Sequence, residues 1–481
     1  MAANNNKIPY GQLLLQYSNT AINIIFPLIL FPYMTRTLGP GGYGVIGFYE
    51  SMLLVVNVLA AFGVNYYGLR LLSKSAIGDS DNANTVLHLL LINTLVAISG
   101  MLVYLVYVFN KKVQIGNSQV TFLYAYIMVI YMFHADWYFQ SQEKFRFILK
   151  RTFFIRLFVL VSSFLFVRKP EHLIYYIIIS AANYTLIAAS AWWNMRTLLP
   201  HWKWDPDLFR RLLKALWPFA ILGALGSIYF TIDTILLART GRITDLGHYT
   251  VAAKIVRLGL NVFVGASIVF FVKLFRTEVD RGLQADSMLM TMHFSFPIAA
   301  MLFFFAEPVI RFVSGETYLP AAGMLRIFSL LWVVVPLHDF FNIRVLIVHH
   351  REKLLVKIYF AACLLSLLLN LVLIPAFFTT GAALSILITE MLVLAASIYY
   401  SRPYFRISRK LLVEMLFCLA VFPIAMLAAQ VSIMVSTNHI VQLAIGLTGT
   451  LLANVFMQLV IFRSAFWHRT WNAIRAAKAR A

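Results

Sequence analysis

From Pro375 to Ser401 the chain runs for 27 residues with a single charge, Glu390, near its centre. A helix rises about 1.5 Å per residue and the hydrocarbon core of a bilayer is about 30 Å thick, so roughly 20 residues cross it. No placement of that window across Gly381–Ser401 brings Glu390 to an interface. A carboxylate at mid-bilayer costs at least about 2.5 kcal/mol on insertion scales. Such a residue survives only where it faces protein, water or a partner, so the run has to cross a membrane among other helices.

Runs of this kind recur along the whole chain. Of the 481 residues, 61% are hydrophobic and 12% charged, about half the charged share of an ordinary soluble domain. The expected fold class is an all-α polytopic membrane protein. Fourteen apolar stretches are expected to span: 11–35, 43–69, 83–109, 119–141, 146–167, 172–195, 215–239, 246–272, 287–310, 319–348, 354–374, 381–401, 411–435 and 440–462. No connection is long enough for a soluble domain; the longest, Arg196–Lys214, carries the WKWDPD turn. Cys363 and Cys418 both lie in apolar runs and read as small hydrophobes without a disulfide. The start, MAANNNKIPYGQ, has no basic n-region followed by a short apolar core, so the first span is expected to insert as itself.

Orientation follows from the basic residues. With the N-terminus inside, most of the 40 lysines and arginines fall on cytoplasmic segments and span ends, and few on external loops. That asymmetry places both ends in the cytoplasm. The net charge of +21 is then the positive-inside signal plus attraction to anionic headgroups. Nucleic-acid binding would need a basic soluble module, which the chain lacks. The tail WHRTWNAIRAAKARA reads as an amphipathic helix on the cytoplasmic surface. A faint repeat links LGPGGYGVIGF in the first hairpin to DLGHYTVAAKI, with Tyr43 and Tyr249 in matching places. It suggests two pseudo-symmetric six-helix lobes around a central cavity, residues 1–205 and 206–405. Two further spans would follow over 406–463, and a cytoplasmic tail over 464–481.

Several charges resist being moved to a loop. Arg156 divides the fifth span and leaves only Leu157–Val167 on one side, too short to cross. Arg326 and Asp339 are separated by twelve residues and Arg344 follows, so at least one of the three lies at membrane depth. Other charges are not forced to membrane depth. Lys254 and Arg257 share a helix face, and Asp233 sits at a similar height on the preceding span. Yet Val256–Val272 is nearly long enough to cross alone, so both an Asp–Lys contact across the hairpin and a hairpin projecting above the bilayer stay open. Glu50 is similar, since Ser51–Leu69 could cross without it. The histidines His88, His134 and His293 lack metal-ligand spacing and read as hydrogen-bonded packing residues, and no metal site is expected.

Four ordered motifs make the chain resemble one family. They are FPLILFPYMTRTLGPGGYG at Phe26–Gly44, HADWYFQSQEKF at His134–Phe145, the block from Asp233 to Lys254, and NLVLIPAFFTTGAALSILITE at Asn370–Glu390. The resemblance, over residues 10–400, is to Wzx-type polysaccharide flippases of the multidrug/oligosaccharidyl-lipid/polysaccharide exporter superfamily. It implies a multi-pass protein of the bacterial inner membrane, not an enzyme. Such a protein would move an undecaprenyl-diphosphate-linked oligosaccharide from the cytoplasmic to the periplasmic leaflet for O-antigen-like surface polysaccharide. It implies no cofactor, coupling to an H+ or Na+ gradient, and, besides membrane lipids, a polysaccharide polymerase and a chain-length regulator as partners. A diphosphate headgroup wants cations, guanidinium above all, so Arg36, Arg70, Arg156, Lys254, Arg257 and Arg344 are its expected ligands. Glu50, Asp136, Asp233, Asp339 and Glu390 would balance those cations or exchange an ion. The nearest alternative is a drug or organic-cation antiporter of the same superfamily, which would want carboxylates in an otherwise uncharged aromatic cavity. A membrane glycosyltransferase or polymerase is disfavoured, because the external loops are short and carry no acidic pair.

Overall fold

The computed structural model describes residues 10–72, 80–109, 115–276, 281–464 and 466–468. The described residues are helical throughout and hold no strand. The helices, in chain order, are α1 Tyr10–Ala61, α2 Val64–Leu72, α3 Ser80–Phe109, α4 Ser118–Tyr131, α5 Asp136–Ser141, α6 Phe145–Phe166, α7 Leu173–Met195, α8 Pro206–Ala238 and α9 Ile243–Arg276. They continue as α10 Arg281–Phe304, α11 Ala306–Ser314, α12 Ala321–Ser329, α13 Leu331–Asp339, α14 Glu352–Ser401, α15 Arg409–Leu419, α16 Val421–Val435 and α17 His439–Phe456. A π-helical turn, Phe340–Ile347, extends α13.

Among the described residues nine helical stretches are long and apolar enough to cross a membrane, or ten if the bent Pro206–Ala238 helix counts as one span. The difference from fourteen has identifiable sources. Two of the stretches, Ser18–Leu59 and Glu352–Ser401, hold two expected spans each and break in the middle. In α1 the break is Gly39, at φ 66°, a left-handed conformation that glycine adopts without steric cost. In α14 it is Phe378, at φ 51°. Helix α6, with Arg146, Lys150, Arg151 and Arg156 within its 22 residues, is not among these stretches, and neither is α9, which covers the expected span 246–272.

The chain divides into two compact units, 1–247 and 248–481. In the first, α1 packs along α3, α6 and α8, while α4 lies against α7. One of its cores joins Val64, Leu89, Trp137, Phe139, Ile148 and Leu216. In the second, α10 packs against α13 and α16, and α16 against α17. Met292, Phe296, Phe340, Phe341, Phe405 and Val421 meet there. Both units turn large apolar side chains outward, among them Phe154, Val106, Val372 and Leu452. Water would penalise such a surface, and lipid matches it, so the association of these helices rests on close packing and on buried polar contacts.

The starts of the two copies of the faint repeat meet in residues of the first unit. Gly44, early in the second limb of α1, faces the Ile243 carbonyl, and Gly247, in the first turn of α9, faces the Pro40 carbonyl. Backbone lies on backbone here, and neither position has room for a Cβ.

Candidate functional site

In the second unit a buried polar network gathers around Glu390. The second limb of α14 carries Glu390 and Ser397, and its first limb carries Tyr359. Helix α13 supplies His338, and the π turn supplies Asn342 and Arg344. A π turn widens the helix and commonly marks a functional position; here it turns Asn342 and Arg344 towards buried neighbours.

Glu390 Oε2 lies 3.0 Å from His338 Nε2, with the two side chains 11% and 8% exposed. The atoms are within ion-pair distance, although the N–H axis of the imidazole is not aligned on the carboxylate oxygen. The other imidazole nitrogen is 3.4 Å from Asn342 Nδ2, which also donates to the Tyr359 hydroxyl at 3.1 Å. Ser397 Oγ lies 2.7 Å from Asn342 Oδ1 and 2.7 Å from the Val393 carbonyl. Asn342 thus fixes the ring whose far side faces Glu390. Chemically, the pair is a one-proton unit. An imidazolium beside a carboxylate and an imidazole beside a carboxylic acid are both neutral overall. Gain or loss of a proton leaves a net charge inside hydrocarbon, which is costly.

Arg344 is enclosed beside this network at 2% exposure. Its Nη1 donates to Thr291 Oγ1 at 2.7 Å, its guanidinium stands 5.9 Å over the Phe340 ring, and Gln284 donates to its carbonyl at 3.0 Å. Arg326 turns away to Glu307 at 2.8 Å, while Asp339 is half-buried on α13. Lys254 and Arg257 are half-buried on α9.

In the first unit, Asp136 opens α5 just after Ala135, which sits in the left-handed region at φ 49°. Asp136 Oδ1 accepts from Arg151 Nη2 at 2.6 Å; the arginine side chain is 4% exposed and the aspartate 42%. Arg156 Nη2 donates to Asn23 Oδ1 at 3.2 Å. Asp233 is buried and accepts from the Thr234 amide at 2.7 Å. Arg36 is exposed on α1 and Glu50 half-buried; the side chain of Arg70 lies outside the described residues. A cavity of about 510 Å³ opens between α1, α3 and α8, lined by Met52, Leu59, Val96, Tyr104, Trp217 and Ile221. Its wall is almost wholly apolar, and none of the expected cations or carboxylates lines it.

The histidines singled out in the sequence are all engaged. His134 Nε2 is 3.2 Å from the Tyr184 carbonyl, and the His293 Nδ1 accepts from Trp467 at 3.2 Å. His88 accepts the Asp205 amide at 3.2 Å and lies between Trp202 and Trp204. Asp205 also caps α8, accepting from the Asp207 and Leu208 amides at 3.0 Å. The Leu208 amide chief among them holds this half-buried residue's carboxyl below the usual carboxylate range. Among the described residues no group of three metal-ligating side chains could hold an ion. Sequence reasoning missed His338, Asn342 and Arg151. The signal for His338 was present, a histidine beside Asp339 in an otherwise apolar run; for Arg151 it was an arginine one turn before Arg156 on the same helix.

With this geometry in view, comparison with known proteins gives consistent results. The family model described as "Polysaccharide biosynthesis protein" matches residues 14–271. A protein of Escherichia coli (strain K12) named "Putative O-antigen transporter" is 25% identical over 396 residues, 79% of this chain and 93% of the relative. A Shigella dysenteriae protein of the same name is 23% identical over 397 residues, covering 79% and 97%. Among solved structures, that of the lipid II flippase MurJ in an inward closed conformation aligns with a TM-score of 0.70 at 14% identity, covering 93% of this chain and 100% of the other. An inward-facing multidrug resistance MATE family transporter aligns with a TM-score of 0.63 at 12% identity, covering 82% and 97%. At these identities the two structures establish a shared fold.

Proposed function

The chain belongs to the polysaccharide biosynthesis protein family, and from that premise we propose that it is a flippase for a lipid-linked oligosaccharide. The substrate would be an undecaprenyl-diphosphate glycan carried from the cytoplasmic to the periplasmic leaflet, in a bacterial inner membrane with both termini inside. The observation that carries the reading is the pairing of this family match with the fold of a lipid II flippase. The O-antigen transporter names of the curated relatives support a surface-polysaccharide repeat unit as cargo.

The mechanism we derive is alternating access. The sugar and its dianionic diphosphate cannot cross hydrocarbon, whereas the polyprenyl tail can stay in lipid. Arg36, Arg156, Lys254 and Arg257 keep accessible surface and are assigned, with Arg70, to replace headgroup hydration. Arg344, enclosed beside Thr291, is assigned instead to charge balance with Asp339, the carboxylate it interacts with. Glu50, Asp136 and Asp233 would balance the remaining cations. The Glu390–His338 pair is the site we assign to exchange a proton during the cycle, at the stage where its surroundings open to water and the net charge left by exchange is solvated. An inside-negative potential favours outward movement of a dianion by about 2.3 kcal/mol per charge per 100 mV. Partnership with a polymerase and a chain-length regulator belongs to the same proposal.

The test is depletion followed by mass spectrometry of the membrane lipids. Accumulation of a complete undecaprenyl-diphosphate oligosaccharide on the cytoplasmic side is expected. An incomplete glycan would point to an enzyme instead. The fold shared with a MATE transporter favours one second reading, an organic-cation antiporter. That reading predicts drug sensitivity on depletion and an unchanged lipid profile.

A further inference from the structure

Away from the Glu390 network, the two limbs of α14 enclose a groove of about 290 Å³ on the outer surface of the second unit. Its lining is drawn from both limbs and includes Lys357, Ala361, Leu365, Thr389, Leu392 and Tyr400. Small residues, Ala361, Ala362 and Ala396, make room for an inserted chain. Leu364 and Leu392, each 49% exposed, stand on the surrounding surface.

The groove has a direction. At one end lie Lys357 and Tyr400, both exposed. Among the described residues Lys357 makes no salt bridge. At the other end the lining is apolar apart from Thr389. From Leu354 to Leu365 a helix advances about 16 Å, close to half of the roughly 30 Å hydrocarbon core. The Lys357 end continues into Arg402, Arg406, Arg409 and Lys410, whereas Ile374–Thr380 at the far turn of α14 has no charge. Basic residues mark the leaflet rich in anionic lipid, and basic pockets between spans on that side recognise such headgroups.

We infer that this groove is a binding site for an anionic glycerophospholipid of the basic-side leaflet. One acyl chain would lie between the limbs of α14, with its phosphate at Lys357 and the Tyr400 hydroxyl. Depth selects this occupant over a polyprenyl phosphate. The groove ends after one leaflet, and a much longer polyprenyl chain would leave most of its length outside. A bound lipid here would brace the hairpin that carries Glu390 and Ser397 on its inner side.

The experiment is a thermal melt of the full-length protein in neutral detergent, titrated with phosphatidylglycerol or phosphatidylcholine of identical chains. Phosphatidylglycerol is expected to raise Tm by roughly 5 °C more than phosphatidylcholine. Lys357→Gln should abolish that difference while melting normally without lipid. Arg168→Gln, at an exposed cation of the first unit, should keep it. Ala361→Trp should remove the response to both lipids. A Lys357→Gln variant that retains the full phosphatidylglycerol advantage would overturn the assignment. So would an advantage given by undecaprenyl phosphate and not by phosphatidylglycerol, since that would hand the groove to the carrier lipid.

Discussion

Alanine at Gly247 should cost more than almost any other one-methyl addition in the chain. A Cβ there would press into the Pro40 carbonyl oxygen and stand 3.0 Å from the Pro40 Cα. At Gly44 the added carbon would press into the Ile243 carbonyl oxygen and stand 3.0 Å from the Gly247 amide nitrogen. Every obstructing atom is backbone, so no side chain can swing aside and the two turns must part. Overpacking of this kind costs about 1–3 kcal/mol, and the absence of a flexible neighbour puts both variants in the upper part of that range. A single separation relieves both clashes, so the effects should be strongly non-additive. The Gly44→Ala/Gly247→Ala double variant is expected to lose about as much stability as either single one. The assay is the melting temperature of purified protein in detergent, read for wild type, both singles and the double. Unchanged melting of Gly247→Ala would refute the close approach, and additive losses would refute the shared contact.

Three further outcomes are expected. Glu390→Gln should abolish complementation of a flippase-deficient strain while leaving membrane insertion intact, and His338→Ala should weaken it; normal complementation by Glu390→Gln would exclude an essential proton at that position. Asp136→Ala should destabilise by about 1–3 kcal/mol, because it strands the enclosed Arg151 guanidinium, whereas Arg151→Leu leaves only a half-exposed aspartate and should cost less. Equal losses in thermal unfolding would contradict that asymmetry. The Asp205 cap has a lowered carboxyl pKa, so its stabilisation is present above the unfolded value of an aspartate and is lost as pH falls through the lower folded one. Asp205→Asn should therefore flatten the acid limb of the Tm-against-pH curve without shifting it near neutrality, and an unchanged acid limb would refute this.

The all-helical membrane fold was readable because the constraint is local: a run such as Pro375–Ser401 can satisfy its backbone in lipid only as a helix. The position of Glu390 inside such a run was equally readable, since no register frees it. Its partner was not. His338 lies more than fifty positions earlier in the sequence, and only the packing of α13 on α14 brings the two together. The same holds for Arg151, hidden among the cations of α6 and turned inward by the Asp136 corner. The Gly44–Gly247 contact illustrates an intermediate case. The repeat was visible as a pattern of glycine and tyrosine, but its meaning, two turns touching backbone to backbone, depends on a separation in sequence that periodicity does not report. Of the segment WHRTWNAIRAAKARA, expected to lie on the membrane surface, only Trp467 and His468 are among the described residues, and Trp467 donates to His293 on α10 at 3.2 Å. The rest of that expectation, residues 469–481, lies outside the described residues.

The central claim is movement of an intact lipid-linked glycan between leaflets, and reconstitution tests it most directly. Purified protein would be placed in vesicles carrying an undecaprenyl-diphosphate oligosaccharide, with the share exposed to an impermeant sugar-modifying reagent followed over time. The account predicts protein-dependent exposure of glycan from the inner leaflet, unchanged in mass and lost in Glu390→Gln. An unchanged leaflet distribution, or a glycan altered in mass, would contradict it.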